Sequence, residues 1–368
     1  MAQGKRFLFY AVNGLGLGHV TRLLAIARQI RRQSAEHQIL FLTSSEADSV
    51  IYSEGFAAFK VPSKTIRAET GLSPDLYAKI VQSLTWTAIG SFDPDVLVVD
   101  TFPTGTLQEL LPVLRWPART AFIYRAQRLE KAQSATMQHV LPLYDRIIVP
   151  HAPGSETIPL PPGTEGRVRW VGPIVIRERE ELLDRMAARF HLRLPQDATV
   201  VYVCFGGGGE RDAAMHFHAV IDALADQPGL ILVVAAGPLF RGDLPDHPSV
   251  RRLDAYPVAA YLRAFDVAIS AAGYNSVHEL QLAGVPTVFV PLERGLDDQS
   301  DRATRMAADS GGVVLDTWDA VAIRAAVARL LNEPMVGPAA SSGSASGACQ
   351  AAECLLELAA EGAGTSRG

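Results

Sequence analysis
Two patterns alternate along the chain. Short runs that are apolar at nearly every position, such as Phe7-Leu-Phe-Tyr-Ala-Val12 and Ile39 to Thr43, flank stretches with amphipathic helical spacing, such as Thr21 to Arg32. An uninterrupted apolar run predicts a strand buried on both faces, and strand-helix-strand repetition predicts a parallel sheet. Val96-Leu-Val-Val-Asp100, Thr120 to Tyr124 and Arg146 to Pro150 extend the rhythm. It breaks at Val171-Gly-Pro173, where a charged stretch, Arg177 to Arg185, leads into a fresh start. That start is the apolar Val200 to Phe205, four glycines (Gly206, Gly207, Gly208, Gly209) and a helix over Ala213 to Ala223. Leu230 to Ala235, Val267 to Ser270, Thr287 to Val290 and Gly312 to Leu315 predict further strands. The expected architecture is α/β, with two Rossmann-like doubly wound domains facing a cleft, at 1–172 and 173–336. A linker rich in Ser, Ala and Gly follows at 337–347, then a last helix in 348–368 expected to pack back on the N-terminal domain.

Composition narrows the function classes. The apolar fraction of 48% can fill two cores, and 34 Lys and Arg against 39 Asp and Glu give a net charge of -5 with no basic excess for a nucleic-acid partner. Cys204, Cys349 and Cys354 are too few and too scattered for a disulfide framework and contain no CxxC pair, which points to a reducing cytoplasm and no structural zinc. The first apolar run is too short to span a bilayer and has no cleavage-site pattern, so neither a signal peptide nor a membrane span is expected.

Ligands of open α/β sheets collect at the carboxyl ends of the strands, which draws attention to Gly14-Leu-Gly-Leu-Gly-His-Val-Thr-Arg22 and to Gly206–Gly209. Glycines opening a helix suit an anion, because unpaired backbone N–H groups and the helix dipole meet it there. The second run lacks the Lys-Ser/Thr of a P-loop, and no acid at a strand end suits an adenosine ribose, which disfavours ATP hydrolysis and NAD; a purely structural turn stays open. After the strand at Val267, Gly273, Asn275 and Ser276 would offer donors to a diphosphate, and Glu279 could accept both hydroxyls of a ribose. The plainer alternative makes Asn275 or Ser276 an N-cap with Glu279 as its capping-box partner. His19 titrates near neutrality and suits acid-base work, or it bonds locally at a helix start; Asp100 is a strand-end acid or a turn residue. His139, His151, His216, His218 and His278 read as surface or capping residues, and Asp93-Pro-Asp95 has only the letters of a metal-binding motif.

Gly273, Asn275, Ser276, Glu279, Gly284-Val-Pro286, Pro291 and Asp298-Gln299 together resemble the donor signature of GT-B glycosyltransferases, close to the peptidoglycan N-acetylglucosaminyltransferases and the UDP-glycosyltransferases. Val200 to Gly207 is similar to a strand of the latter group. The resemblance implies an inverting, metal-independent transfer from a UDP-sugar of the glucose or N-acetylglucosamine type to an acceptor hydroxyl or amine, with no cofactor beyond that co-substrate. His19 would be the base and Asp100 would orient it. Gly273 to Ser276 would hold the phosphates, Glu279 the ribose, and Asp298 and Gln299 the sugar, with Gly206–Gly209, Gly237 and Tyr256 completing the donor side and Gly16 and Gly18 on the acceptor side. Ala271 stands where plant-type enzymes carry His, and Gly207 where they carry Ser, so phosphate contacts would be mostly backbone. The acceptor could be a small molecule, a glycan or a lipid-linked species, read by loops such as Pro62–Pro74 and Thr101–Thr106; peripheral membrane association stays open. Nucleotide-sugar hydrolases of the pseudaminic acid pathway carry a similar Gly-x-Gly-His-Val-x-Arg turn, matched here by Gly16 to Arg22, and a sugar 2-epimerase or a non-catalytic nucleotide-sugar sensor are further alternatives.

Overall fold
The computed structural model describes residues 4–12, 16–209, 212–293, 297–333 and 346–361. In chain order the elements are β1 (Arg6–Ala11), α1 (Gly18–Gln33), β2 (Gln38–Thr43), α2 (Ser49–Ser53), β3 (Ala57–Lys60), α3 (Lys64–Thr70), α4 (Pro74–Phe92), β4 (Val96–Asp100), β5 (Arg119–Ile123), α5 (Leu129–Ala132), α6 (Ala135–Val140), β6 (Arg146–Val149) and β7 (Val168–Trp170). Then come α7 (Arg185–His191), β8 (Thr199–Cys204), α8 (Ala213–Leu224), β9 (Leu230–Val234), β10 (Val250–Arg252), β11 (Val267–Ser270), α9 (Tyr274–Ala283), β12 (Thr287–Phe289), α10 (Gln299–Ser310), β13 (Val313–Val314), α11 (Ala320–Asn332) and α12 (Gly347–Ala360). The chain forms two compact units: one runs to Ile174 and takes back the C-terminal segment, and the other begins at Val175.

Each unit is a parallel sheet. The first has strand order β3-β2-β1-β4-β5-β6-β7 and the second β10-β9-β8-β11-β12-β13. Central strands are apolar throughout because helices cover both faces: Phe7 to Ala11 and Val96 to Val99 have no exposed surface. In each sheet the chain order reverses beside the first strand, between β1 and β4 and between β8 and β11. Beside such a reversal, open α/β sheets form a crevice at the carboxyl ends of the strands, because the connections run to opposite faces. His19 and Asp100 border the first crevice. Gly206–Gly209 and Gly273–Ser276 border the second.

At the amino ends, three carboxylates serve the architecture. Asp95, Asp145 and Asp266 precede β4, β6 and β11 and accept the backbone N–H of Arg6, Thr120 and Val200, on the neighbouring strands, at 2.8, 2.8 and 2.7 Å. Asp93 caps the end of α4 and receives Arg6 at 2.8 Å, so both acids of Asp93-Pro-Asp95 are occupied in pinning β1 to β4. Asp266 also takes the buried Arg189, anchoring α7.

The edges differ from the sequence pattern. β3, β7 and β10 are short and partly exposed, so they lack an apolar run to announce them. The presumed loop Pro62–Pro74 contains a helix, α3, capped by Ser63, and Ser73 with Pro74 then opens α4. Most of the 337–347 linker lies outside the described residues. Beyond it, Ser346 caps α12, whose Ala348, Ala351, Ala352, Leu355 and Leu358 face inward against α1, β4 and β5.

Two glycines are fixed by close packing. Gly237 has φ +86°, and a Cβ there would lie 2.5 Å from the Gly207 carbonyl carbon; Gly208, at φ +82°, would meet the Ala236 oxygen at 2.2 Å. The loops after β8 and β9 therefore touch backbone to backbone. Gly237→Ala is expected to destabilise the protein by about 2–4 kcal/mol through strain and displacement. Gly18→Ala, where nothing lies within 4 Å of the added carbon, should leave stability nearly unchanged. Denaturant unfolding of both variants checks this, and equal midpoints would refute it.

Candidate functional site
The first crevice is built around a carboxylate without exposed surface. Asp100 closes β4 at 0% exposure, and α1 delivers two side chains to it. His19 places Nδ1 at 2.8 Å from Oδ1, and Arg22, nearly one turn further, donates Nε to Oδ2 at 2.8 Å and Nη2 to Oδ1 at 2.7 Å. The Thr101 hydroxyl donates to Oδ1 at 2.6 Å, and the Phe102 ring lies against His19 with centroids 5.6 Å apart. His19 is thus held across 81 residues of sequence rather than bonded locally at its helix start. Gly14 and Leu15 lie outside the described residues; Gly16 is half-buried, and open space faces Gly18.

Charge fixes the chemistry of this cluster. Burial alone would raise the Asp100 carboxyl, but Arg22 and then His19 outweigh it and hold the group well below the usual carboxylate range. Burial lowers the His19 imidazole below its ordinary 6.5; Asp100 pulls it up, and Arg22 and Arg125 push it down again. An ionised carboxylate only accepts, so Nδ1 carries the proton and Nε2 the lone pair. Arg125 was not singled out from sequence, and Arg22, Thr101 and Phe102 entered only as members of longer stretches, with no link to Asp100. Only Arg22 left a trace, standing three residues after His19 on the same helical face.

In the second unit, Gly206 at φ +100° faces open space, while Gly208 and Gly237 are explained by loop packing, and the Gly207 carbonyl accepts the Leu239 N–H at 3.0 Å. Gly273 is the N-cap of α9 with no side-chain cap, so Asn275 and Ser276 stand inside the first turn rather than at the cap. That first turn presents backbone donors and a positive dipole end. Glu279 lies one turn further on, with a carboxyl pushed up to about 7 by burial against a smaller opposing pull from Arg177. Its field, with that of Tyr256, reaches the buried Tyr202, so β8, α9 and the Tyr256 loop converge. Asp298 caps α10 through the Asp301 N–H at 3.0 Å, and the buried Gln299 accepts the Leu292 N–H at 3.0 Å, which ties the start of α10 to Leu292.

The remaining histidines divide. His139 and His218 are exposed, bonding the carbonyls of Ala135 and Asp243. His151 is buried and accepts the Ala126 N–H at 3.0 Å, which corrects its reading as a surface residue: it ties the loop after β6 to the loop after β5. His278 is also not at the surface by its ring, whose Nδ1 is buried, and burial with nearby Arg302 pushes it down to about 3. His216 stacks on Trp318, centroids 4.4 Å apart. Among the described residues no group of three or more His, Cys, Asp or Glu is arranged to hold a metal ion, and no helix is long and apolar enough to cross a membrane.

Residues 253–354 match the glycosyltransferase family 28 C-terminal domain, a span that contains Gly273, Asn275, Ser276, Glu279, Asp298 and Gln299. An uncharacterized glycosyltransferase of Methanosarcina acetivorans is 25% identical over 79% of this chain and 80% of its own length. The UDP-N-acetylglucosamine--N-acetylmuramyl-(pentapeptide) pyrophosphoryl-undecaprenol N-acetylglucosamine transferase of Rhodococcus opacus is 32% identical over 50% of this chain, which spans about half (52%) of that relative. The solved structure of the calicheamicin glycosyltransferase CalG4 superposes with a TM-score of 0.56 at 22% identity, covering 97% of this chain and 94% of its own. The fold is that of the GT-B glycosyltransferases: two Rossmann-like units.

Glu279 gives a pH-dependent test. Its folded value, about 7, exceeds the ordinary 4.5, so the native state binds more protons than the unfolded chain between those values and stability declines as pH rises through that window. Glu279→Gln removes the cost and should stabilise the protein by about 1–2 kcal/mol at pH 8 but little at pH 4.5. Unfolding free energies at the two pH values measure this; an equal effect at both would refute it.

Proposed function
We propose that this glycosyltransferase, with its family 28 C-terminal domain, moves a sugar from a UDP-sugar of the glucose or N-acetylglucosamine type to an acceptor hydroxyl or amine, with inversion at the anomeric carbon. The observation that carries the reading is the His19–Asp100 pair, with Nδ1 committed to the carboxylate and Nε2 available as a base. Nε2 takes the acceptor proton as the acceptor atom forms its bond to the anomeric carbon, and the bond from that carbon to the diphosphate oxygen breaks, its electron pair leaving with UDP. Attack opposite the leaving group inverts the centre. The growing negative charge on the diphosphate is met by the first turn of α9, which gives electrostatic stabilisation without calling on a metal ion.

Donor selection rests on Glu279, whose half-buried carboxylate suits the two hydroxyls of a ribose and therefore UDP over dTDP. The name of the Rhodococcus relative states UDP-N-acetylglucosamine, which supports the same donor class here. Gly206, Gly207, Gly208, Gly209, Gly237 and Tyr256 would frame the nucleotide, and Asp298 and Gln299 the sugar. Gly16 and Gly18 leave room for a reacting group beside His19, and the acceptor is a small molecule, a glycan or a lipid-linked species.

His19→Ala should keep the thermal stabilisation given by UDP and lose transfer by about 10²-fold or more. Transfer at the wild-type rate would sink the base assignment, and no stabilisation by saturating UDP in the wild-type protein would sink the donor assignment. Rapid sugar release from the donor with no acceptor present would favour hydrolysis, with water in the acceptor's place.

A further inference from the structure
The charge balance around His19 assigns a role to a residue outside the dyad. A carboxylate beside an imidazole ordinarily stabilises the imidazolium, and a protonated histidine is no base. Here the carboxylate faces a second cation. Arg22 is 1% exposed, and its planar fork holds both Asp100 oxygens at 2.7 and 2.8 Å, a geometry that a lysine ammonium cannot reproduce. We propose that Arg22 is a positioning residue for the proposed base: by gripping both oxygens it fixes the carboxylate and balances its charge, so that His19 waits as neutral imidazole.

The groups that face His19 come from three elements. Burial disfavours the charged ring most; Asp100, on β4, favours it, and Arg22, on α1 itself, and Arg125, after β5, add to the effect of burial. Thr101 contributes a hydroxyl to the same Asp100 oxygen that His19 uses, so that oxygen already accepts three donors. Removing the guanidinium uncovers the full charge of Asp100 toward His19 and frees its carboxylate to rotate. The inference rests on His19 acting as the base in transfer, but its central measurement does not.

The test is an NMR titration of His19 in the full chain, carried labelled histidine and no ligand, for the wild type, Arg22→Gln and Arg22→Lys. Substitution of His19 assigns its signal among the nine histidines. The wild-type ring should titrate below 6.5. Arg22→Gln should move that midpoint up by about one pH unit or more, and the acid limb of the kcat/KM profile for transfer should move with it. Arg22→Lys, which keeps the charge without the fork, should hold the midpoint near that of the wild type while kcat falls. An unchanged midpoint in Arg22→Gln overturns the proposal and marks Arg22 as structural only. If that variant does not fold, Arg22→Lys decides: a kcat equal to that of the wild type overturns the proposal, because the fork then positions nothing. A failed titration leaves His19 able to be the base, whereas full transfer by His19→Ala would remove the base and leave the titration standing.

Discussion
A carboxylate with no exposed surface is the constraint on which the first unit turns. Taking an ion out of water costs several kcal/mol, so Asp100 stays ionised only because donors surround it. Those donors come from α1 and from Thr101, so the same contacts that satisfy the charge also fix where the helix begins relative to β4. Because β1 and β4 are parallel neighbours on either side of the order reversal, the start of α1 lies beside the end of β4. His19 then has a single ring orientation and a single tautomer. Local structure, packing and proton placement follow from one buried charge.

The second unit treats its acid in the opposite way. Glu279 is desolvated, but the Arg177 field only partly compensates it, and its carboxyl therefore sits near neutrality. Such a group weakens the free protein and gains on meeting hydroxyl donors, a trade expected of a binding residue. The acids at the amino ends of the strands stand apart from both. Asp95, Asp145 and Asp266 are answered by backbone N–H groups of neighbouring strands, so β4 carries a carboxylate bonded to backbone at one end and one bonded to side chains at the other.

What the sequence made legible follows from the same physics. Central strands announce themselves because burial on both faces demands apolar side chains at every position. β3, β7 and β10 do not, since an edge strand is half in water, and α4 was hidden behind a stretch read for its prolines. The glycosyltransferase resemblance was readable because the residues that carry it lie within one continuous stretch inside the matched domain. The partnership of Arg22 with Asp100 spans 78 residues and depends on the sheet order, which no local pattern states. The glycines after β8 showed the converse limit. The run suits an anion, but the close approach of Gly208 to the backbone of the β9 loop depends on the sheet order and cannot be read from the run itself, whereas Gly206 has a left-handed φ with open space beside it. His151 was misread for a related reason, its partner lying on a separate loop.

The helix α12 has a consequence for how the molecule is made. It belongs with α1, β4 and β5, although the whole second unit separates it from them in the chain. During synthesis from the amino end, the second unit emerges as one continuous stretch and can close on itself, while the first must wait with the apolar flank of α1 uncovered. A helix that emerges after the whole second unit therefore completes a domain begun before it. A truncation before Ser346 would thus uncover apolar surface on α1, β4 and β5, far from the cut in sequence, and leave it open to association.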